Sequence, residues 1–470
     1  MGAVIGFGYR KIAWGVVALL VIGPAVWLSF NVRAFGHHFA YLQPELEIDY
    51  AMGILMWVVF AVGIFTVGGD HRRMLLLGWI GKFFVVLVAM LFYEQLYDTD
   101  SIAYFNFRLT SYHASADLRD TDPITSVLLI FTGDSGHESI GSSANFMRLF
   151  ALITSVMPPY FHALKVGLAF LGFLGSWYFY RAVVVAMGRE YPPAFYLLAF
   201  FPSIVFWSST LGKDPVVFFF MGLYAYGGAL WLVQGRLTAF LLVGAGLLGT
   251  FIIRPWISIM GAAALFGASV IGRCRPWQIA IMLLVGASGL YLFEEKANRI
   301  FGEVVVSEFI QQRAEGIAQE TAKSGGSGVE LPDLMGDASF AVLPWVMFTG
   351  LFRPLPFDIT NPFTALAAVE NTVILWLALV AIYRFRMVYF RDPLVLWPVL
   401  FSLMWTTLYG LIVMANFGTG LRYKLQTIPF LLLAIALLTH REGRALLASR
   451  IPGRKKAIEC PSECPSGQVQ

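Results

Sequence analysis

The chain has 470 residues, 58% hydrophobic and 13% charged, with a net charge of +4 and a mean hydropathy of +0.70. No soluble core absorbs so much apolar surface, and it comes in stretches near the roughly 20 residues that cross a bilayer as a helix. That excludes an ordinary soluble enzyme, and the small positive charge is a topological signal rather than a nucleic-acid footprint.

In chain order, candidate spans fall at 13–30, 51–68, 75–93, 161–180, 194–209, 214–233, 237–252, 256–271, 278–293, 363–383, 394–413 and 424–439. The expected fold is all-α, a polytopic transmembrane bundle of about 12 spans. It would fill residues 1–440, and the polar tail 441–470 reads as disordered. Several spans are short enough for two of them to form a broken or re-entrant pair. The first apolar stretch lacks a small-residue cleavage site and reads as a retained anchor.

Basic residues set the orientation. Arg10 and Lys11 precede the first span, and His71, Arg72 and Arg73 lie between the second and third. Arg181 and Arg189, Arg236, Arg273 and Arg275, then Arg384, Arg386 and Arg391 follow the fourth, sixth, eighth and tenth spans. Counted alternately, all fall on the side of the N-terminus, which the positive-inside rule makes cytoplasmic. Both termini are therefore expected inside. Cys274, Cys460 and Cys464 fall on the same side, so the outer loops have no cysteine for a disulfide.

The outer face then holds two larger loops, 94–160 and 294–362. The first opens with Tyr93-Glu94-Gln95-Leu96-Tyr97-Asp98-Thr99-Asp100, whose aromatic and acidic residues recur at helical spacing. A second amphipathic helix is expected over Asn145 to Val156, before Pro158-Pro159. In the second loop, Lys323-Ser324-Gly325-Gly326-Ser327-Gly328 is a flexible break. The apolar piece Ala338 to Thr349 is short and proline-broken, which suits an interfacial or re-entrant helix.

Asp98 and Asp100 stand two residues apart just outside a span. Such a pair can supply a general base with an electrostatic partner, or hold a divalent metal that bridges phosphates; it also suits an ordinary helix cap. The nearby Tyr97, Tyr104, Phe105 and Phe107 offer faces for sugar rings or prenyl chains. Further on, Phe206-Trp207-Ser208-Ser209-Thr210-Leu211-Gly212-Lys213-Asp214-Pro215 joins two apolar helices through a tight turn. A helix starting there would aim its positive end at the turn, and with Lys213 this makes a phosphate site; Asp214 could instead cap the helix. Arg254 and Arg353, each followed by proline, and Arg422 with Lys424 lie at similar depth. Arginine forks match phosphate oxygens, although cations at span ends also snorkel to headgroups. Only Lys82 and Lys165 are read as charges near or inside spans.

Taken together, the acidic first loop, the Phe-Trp-Ser-Ser…Gly-Lys-Asp turn, Ile253-Arg254-Pro255, Phe352-Arg353-Pro354-Leu355-Pro356-Phe357 and Arg422-Tyr423-Lys424 resemble the GT-C glycosyltransferase superfamily and its relatives in bacterial surface-polysaccharide assembly. The resemblance covers most of the chain from the third span on, through diffuse motifs. It implies a polyprenyl-phosphate-linked sugar donor at the outer face of the bacterial inner membrane and a glycan or lipid acceptor. It implies Asp98 or Asp100 as the catalytic acidic group, with a divalent metal as an option there. Lys213, Arg254 and Arg353 would contact phosphate, and Tyr97, Tyr104, Asp214, Arg422 and Lys424 would complete the substrate surface. In the superfamily the acidic loop usually follows the first helix, whereas here it follows the third. The rival readings are a repeat-unit polymerase of the O-antigen or exopolysaccharide type, a transporter or flippase, and an accessory subunit working with other polysaccharide-assembly proteins. A transporter would be expected to bury charges mid-helix and to carry inverted repeats. No nucleotide loop is present, which fits a lipid-linked donor.

Overall fold

The structure is a computed structural model that describes residues 46–96, 156–236, 238–271, 339–386 and 392–439, with scattered helical positions at 27, 31, 100–102, 104–105, 146, 149–150, 152–154, 315–316, 318–319 and 389. The described residues contain helices and no strand.

The first helix, α1, is Leu46–Val67. After a short 3₁₀ turn, α2 (Arg72–Phe84) passes through a π-helical segment, Val85–Ala89, into α3 (Met90–Leu96). Then come α4 (Phe161–Met187), α5 (Pro192–Phe200), α6 (Pro202–Trp207) and α7 (Lys213–Gln234). They are followed by α8 (Thr238–Ile253), α9 (Pro255–Ile271) and α10 (Ser339–Phe352). The last four are α11 (Pro362–Arg384), α12 (Pro393–Ala415), α13 (Phe417–Lys424) and α14 (Ile428–Thr439).

Among the described residues, six helices are long and apolar enough to cross a membrane: α1, the run Gly69–Glu94, α4, α7, α11 and α12. The pair α13 and α14, bent by 60°, adds a seventh if counted as one span. The count of twelve is therefore not reproduced. The stretches 13–30 and 278–293 lie outside the described residues. The stretch 194–209 is not one helix, because Phe201, extended at φ −61° and ψ 122°, separates α5 from α6. Pro202 is the cause: its ring disfavours helical backbone in the preceding residue and it has no N–H to continue the ladder. Pro255 divides α8 from α9 in the same way, leaving 16 and 17 residues. At 1.5 Å per residue those reach about 24–26 Å, short of a hydrocarbon core of about 30 Å.

The helices have the build of a multi-pass helical membrane protein. Along α11, Leu366, Val369, Val373, Trp376, Leu379 and Tyr383 are all exposed. Their three- and four-residue spacing makes one apolar stripe, which suits lipid and not water. Inside the bundle, small residues let backbones approach. A Cβ at Gly222 of α7 would fall 2.7 Å from the Gly175 carbonyl oxygen of α4. Across α10 and α12, Thr406 Oγ1 donates to the Met347 carbonyl at 2.9 Å.

Alternating helix directions gather the polar features at two ends. At one end Glu190, after α4, meets Arg181 at 3.2 Å and His71 at 3.8 Å, and Arg384 donates to the Thr439 carbonyl at 2.6 Å. The other end carries the candidate site. The reading that only Lys82 and Lys165 lie near or inside spans is corrected here. Asp49 of α1 accepts from the Phe161 and His162 backbone amides at 2.6 and 3.0 Å, and from His162 Nδ1. It thereby caps the start of α4, whose first N–H groups have no intrahelical partner. Lys165 pairs with Glu94 at 2.8 Å, both fully buried. Glu370 of α11 accepts from the Ser203 amide at 2.8 Å, taking an N–H exposed by the break before α6.

Candidate anion-binding site

The site is built around the turn between α6 and α7. Helix α6 stops at Trp207, Gly212 is fully extended, and Lys213 and Asp214 form the first turn of α7. Asp suits this position because the helix N-terminus is positive. Its carboxylate, about 1% exposed, is divided between two arginines. Arg254 Nη2 donates to Oδ1 at 2.7 Å from the break between α8 and α9, and Arg422 Nε donates to Oδ2 from α13. Arg422 Nη1 reaches outward to Asp100 at 2.7 Å.

Aromatic rings frame these charges. The Arg254 guanidinium lies 4.7 Å from the Tyr423 ring centre, and Lys213 Nζ lies 5.7 Å from that of Tyr104. Tyr423 packs on Tyr409, whose hydroxyl accepts from Trp256 Nε1 at 2.6 Å. A Cβ at Gly212 would lie 3.8 Å from the Tyr104 ring and 4.0 Å from Arg422 Nη2. Both side chains therefore overhang the turn.

Among the described residues, Lys213, Arg254 and Arg422 gather around the carboxylates of Asp100 and Asp214. Arg254 Nη1 is buried and has no hydrogen-bond partner, which is rare for a donor removed from water. Burial works against the Arg254 charge, but neighbouring Asp214 more than offsets it and its pKa is raised. Burial, reinforced by Asp100, pushes the Tyr104 hydroxyl pKa upward, so it keeps its proton as a donor. The arrangement suits an anion with acceptor oxygens, such as a phosphate, at the N-terminus of a 22-residue helix.

The residues singled out in the sequence divide into two groups. Asp100, Tyr104, Lys213, Asp214, Arg254 and Arg422 come together. Tyr97 and Asp98 lie outside the described residues. Arg353 does not join the Asp214 ion pairs. It clamps Asp358 through Nε at 2.9 Å and through Nη2, with the rings of Trp345, Phe357 and Phe417 around it. The Asp358 oxygen that meets Nε also accepts the Leu355 amide at 2.8 Å, so the arginine holds a turn. Lys424 donates to the Arg353 carbonyl and, at 3.3 Å, to Asn371 Oδ1.

Asp214, placed on the substrate surface by its sequence position, serves inside the protein as the carboxylate that orients both arginines. The metal option needs Asp98 beside Asp100, and Asp98 lies outside the described residues; one Asp100 oxygen is taken by Arg422. Sequence reasoning missed Tyr409 and Trp256. Trp256 directly follows Arg254-Pro255 and could have been noticed; Tyr409, mid-helix, carries no local signal. Comparisons with known protein families, characterised proteins and solved structures find no match to this chain.

Proposed function

We propose that this chain is a GT-C-like membrane glycosyltransferase that takes a polyprenyl-phosphate-linked sugar at the outer face of a bacterial inner membrane, in cell-surface glycan assembly. The observation that carries this reading is the buried, unpartnered Arg254 Nη1 beside Asp214 at the start of α7. In a membrane protein, that depth meets the phosphate of a lipid whose chain lies between helices. The orientation, both termini cytoplasmic, is supported by Arg72, Arg73, Arg181, Arg189, Arg236 and Arg384, which gather at the end opposite the site.

The chemistry assigns simple roles. A carboxylate of the first outer loop, Asp98 or Asp100, takes the proton of the acceptor hydroxyl. That oxygen attacks the anomeric carbon, the bond from this carbon to the phosphate oxygen breaks, and the lipid phosphate leaves with the electron pair. Arg254, Lys213 and the α7 amides would stabilise the charge it carries away.

A carrier is the second reading, favoured by the ionisable groups buried within spans, among them Asp49, Lys82, Glu94, Lys165 and Glu370. Transfer to an acceptor separates the two. Full-length protein in nanodiscs is given a radiolabelled polyprenyl-phosphate sugar, and both the glycan product and lipid retention are measured. The wild type is expected to form product, and Arg254→Gln to lose product and retention together. Retention without product at any acceptor would move the assignment to a carrier. Equal retention by the wild type and Arg254→Gln would remove the site from the reading altogether.

A further inference from the structure

Lys82 lies at the centre of the Gly69–Glu94 run, completely buried, and meets no carboxylate within ion-pair distance among the described residues. Its amine instead reaches across to the end of α6. Nζ donates to Ser208 Oγ at 2.5 Å, to Ser209 Oγ at 2.9 Å and to the Val205 carbonyl at 3.2 Å. Those three acceptors match the three N–H groups of a lysine ammonium.

The hydroxyls are oriented for this role. Ser208 donates its own proton to the Ile204 carbonyl and Ser209 donates to that of Val205, each four residues back. Their lone pairs are left to face Nζ. The final carbonyls of a helix have no intrahelical partner, and a cation at that end satisfies them. The opposite side of the turn is fixed by α4, where a Cβ at Gly172 would collide with the Ser208 carbonyl oxygen. The end of α6 is therefore gripped between Lys82 and the bare backbone of Gly172, five residues before Lys213.

We propose that Lys82 is a positioning residue: it stops α6 at Trp207 and sets where Lys213 and Asp214 enter the anion site. What the turn is positioned for rests on the reading above; that Lys82 fixes it does not. Two local facts support the assignment. A lysine used only for packing would not need three oxygens arranged around it, and burying a charge this deep in a membrane is costly unless it is fully hydrogen-bonded. The π-helical segment begins three residues later, at Val85, a type of distortion common where a helix is shaped for function.

The test is hydrogen–deuterium exchange by mass spectrometry on the full chain in nanodiscs, with and without inorganic pyrophosphate as the anion probe. Lys82→Met is expected to speed amide exchange over 208–214 at least tenfold while 393–415 stays unchanged. Lys82→Arg should restore part of the protection. Ser208→Ala/Ser209→Ala, which removes two of the three acceptors without adding bulk, should repeat the local effect if Lys82→Met fails to fold. Unchanged exchange in 208–214 would overturn the proposal, and so would acceleration spread evenly over all helices. Pyrophosphate should protect 208–214 in the wild type and not in Arg254→Gln. Loss of that protection with the Lys82 effect intact would count against the anion reading alone.

Discussion

Two clusters of charge share helix α13 and differ in one respect. Around Arg353 every strong group is spoken for: the guanidinium grips Asp358, the Leu355 amide completes that carboxylate, and Lys424 takes the Arg353 carbonyl. Around Asp214 the account stays open, for Arg254 grips the carboxylate through Nη2 while its Nη1 is buried without a partner. By sequence the two arginines look alike, each an arginine before a proline at the end of an apolar stretch. Charge at a helix end therefore says little about binding, and the informative quantity is the hydrogen-bonding capacity left over once the protein has satisfied itself.

That contrast can be broken at several points. Asp214→Asn leaves buried Arg254 and half-buried Arg422 without their shared counter-ion. Losing one partner of a buried pair costs about 3–5 kcal/mol, readable by denaturant titration in detergent. A loss no larger than that of Asp358→Asn would show that the two clusters do not differ as described. Asp358→Asn should cost less, about 1.5–3 kcal/mol, the usual worth of hydrogen bonds to charged groups, with no effect on sugar transfer.

The Asp358 carboxyl also has a pH signature. Burial raises its pKa, but the hydrogen bonds from Arg353 and the Leu355 amide more than reverse this and hold it below the ordinary value. A group depressed in the folded state stabilises above its unfolded pKa, and loses that contribution as pH falls through the folded value. Thermal unfolding of the wild type should therefore move down in acid, and Asp358→Asn should flatten that part of the curve. The smallest effect on stability belongs to Asp100→Asn, since Asp100 is exposed and surface pairs contribute about 0.2–1 kcal/mol. If Asp100 is the base, transfer should nevertheless fall about a hundred- to ten-thousand-fold; an unchanged rate would pass the role to Asp98.

The long spans were legible because apolar length is a local property, and the stretches at 51–68, 161–180, 214–233, 363–383 and 394–413 match described helices. The proline breaks were half legible. Arg254-Pro255 stood out between two spans, whereas Pro202 was absorbed into a continuous apolar run. Pairings across the bundle were not legible at all. Glu94 and Lys165 are 71 positions apart, and Lys82 and Ser208 are 126 apart. Only the packing of α2, α3, α4 and α6 brings such groups together. The Arg353 pairing was hidden for the opposite reason, because its partner sits only five residues on, inside a proline-rich turn that conceals how the chain doubles back.

The interruption at Phe201 has a thermodynamic meaning of its own. A helix that stops within hydrocarbon strips hydrogen bonds from its backbone where no water can replace them, at several kcal/mol for each group left bare. Here a side chain from another helix does the work of solvent, for Glu370 of α11 accepts the Ser203 amide as water would at a surface. The broken rod and the distant acid thus form one unit. Pro202 can be kept only while something like Glu370 remains within reach, and a carboxyl in the middle of α11 is tolerable only because a broken helix gives it a donor to accept from.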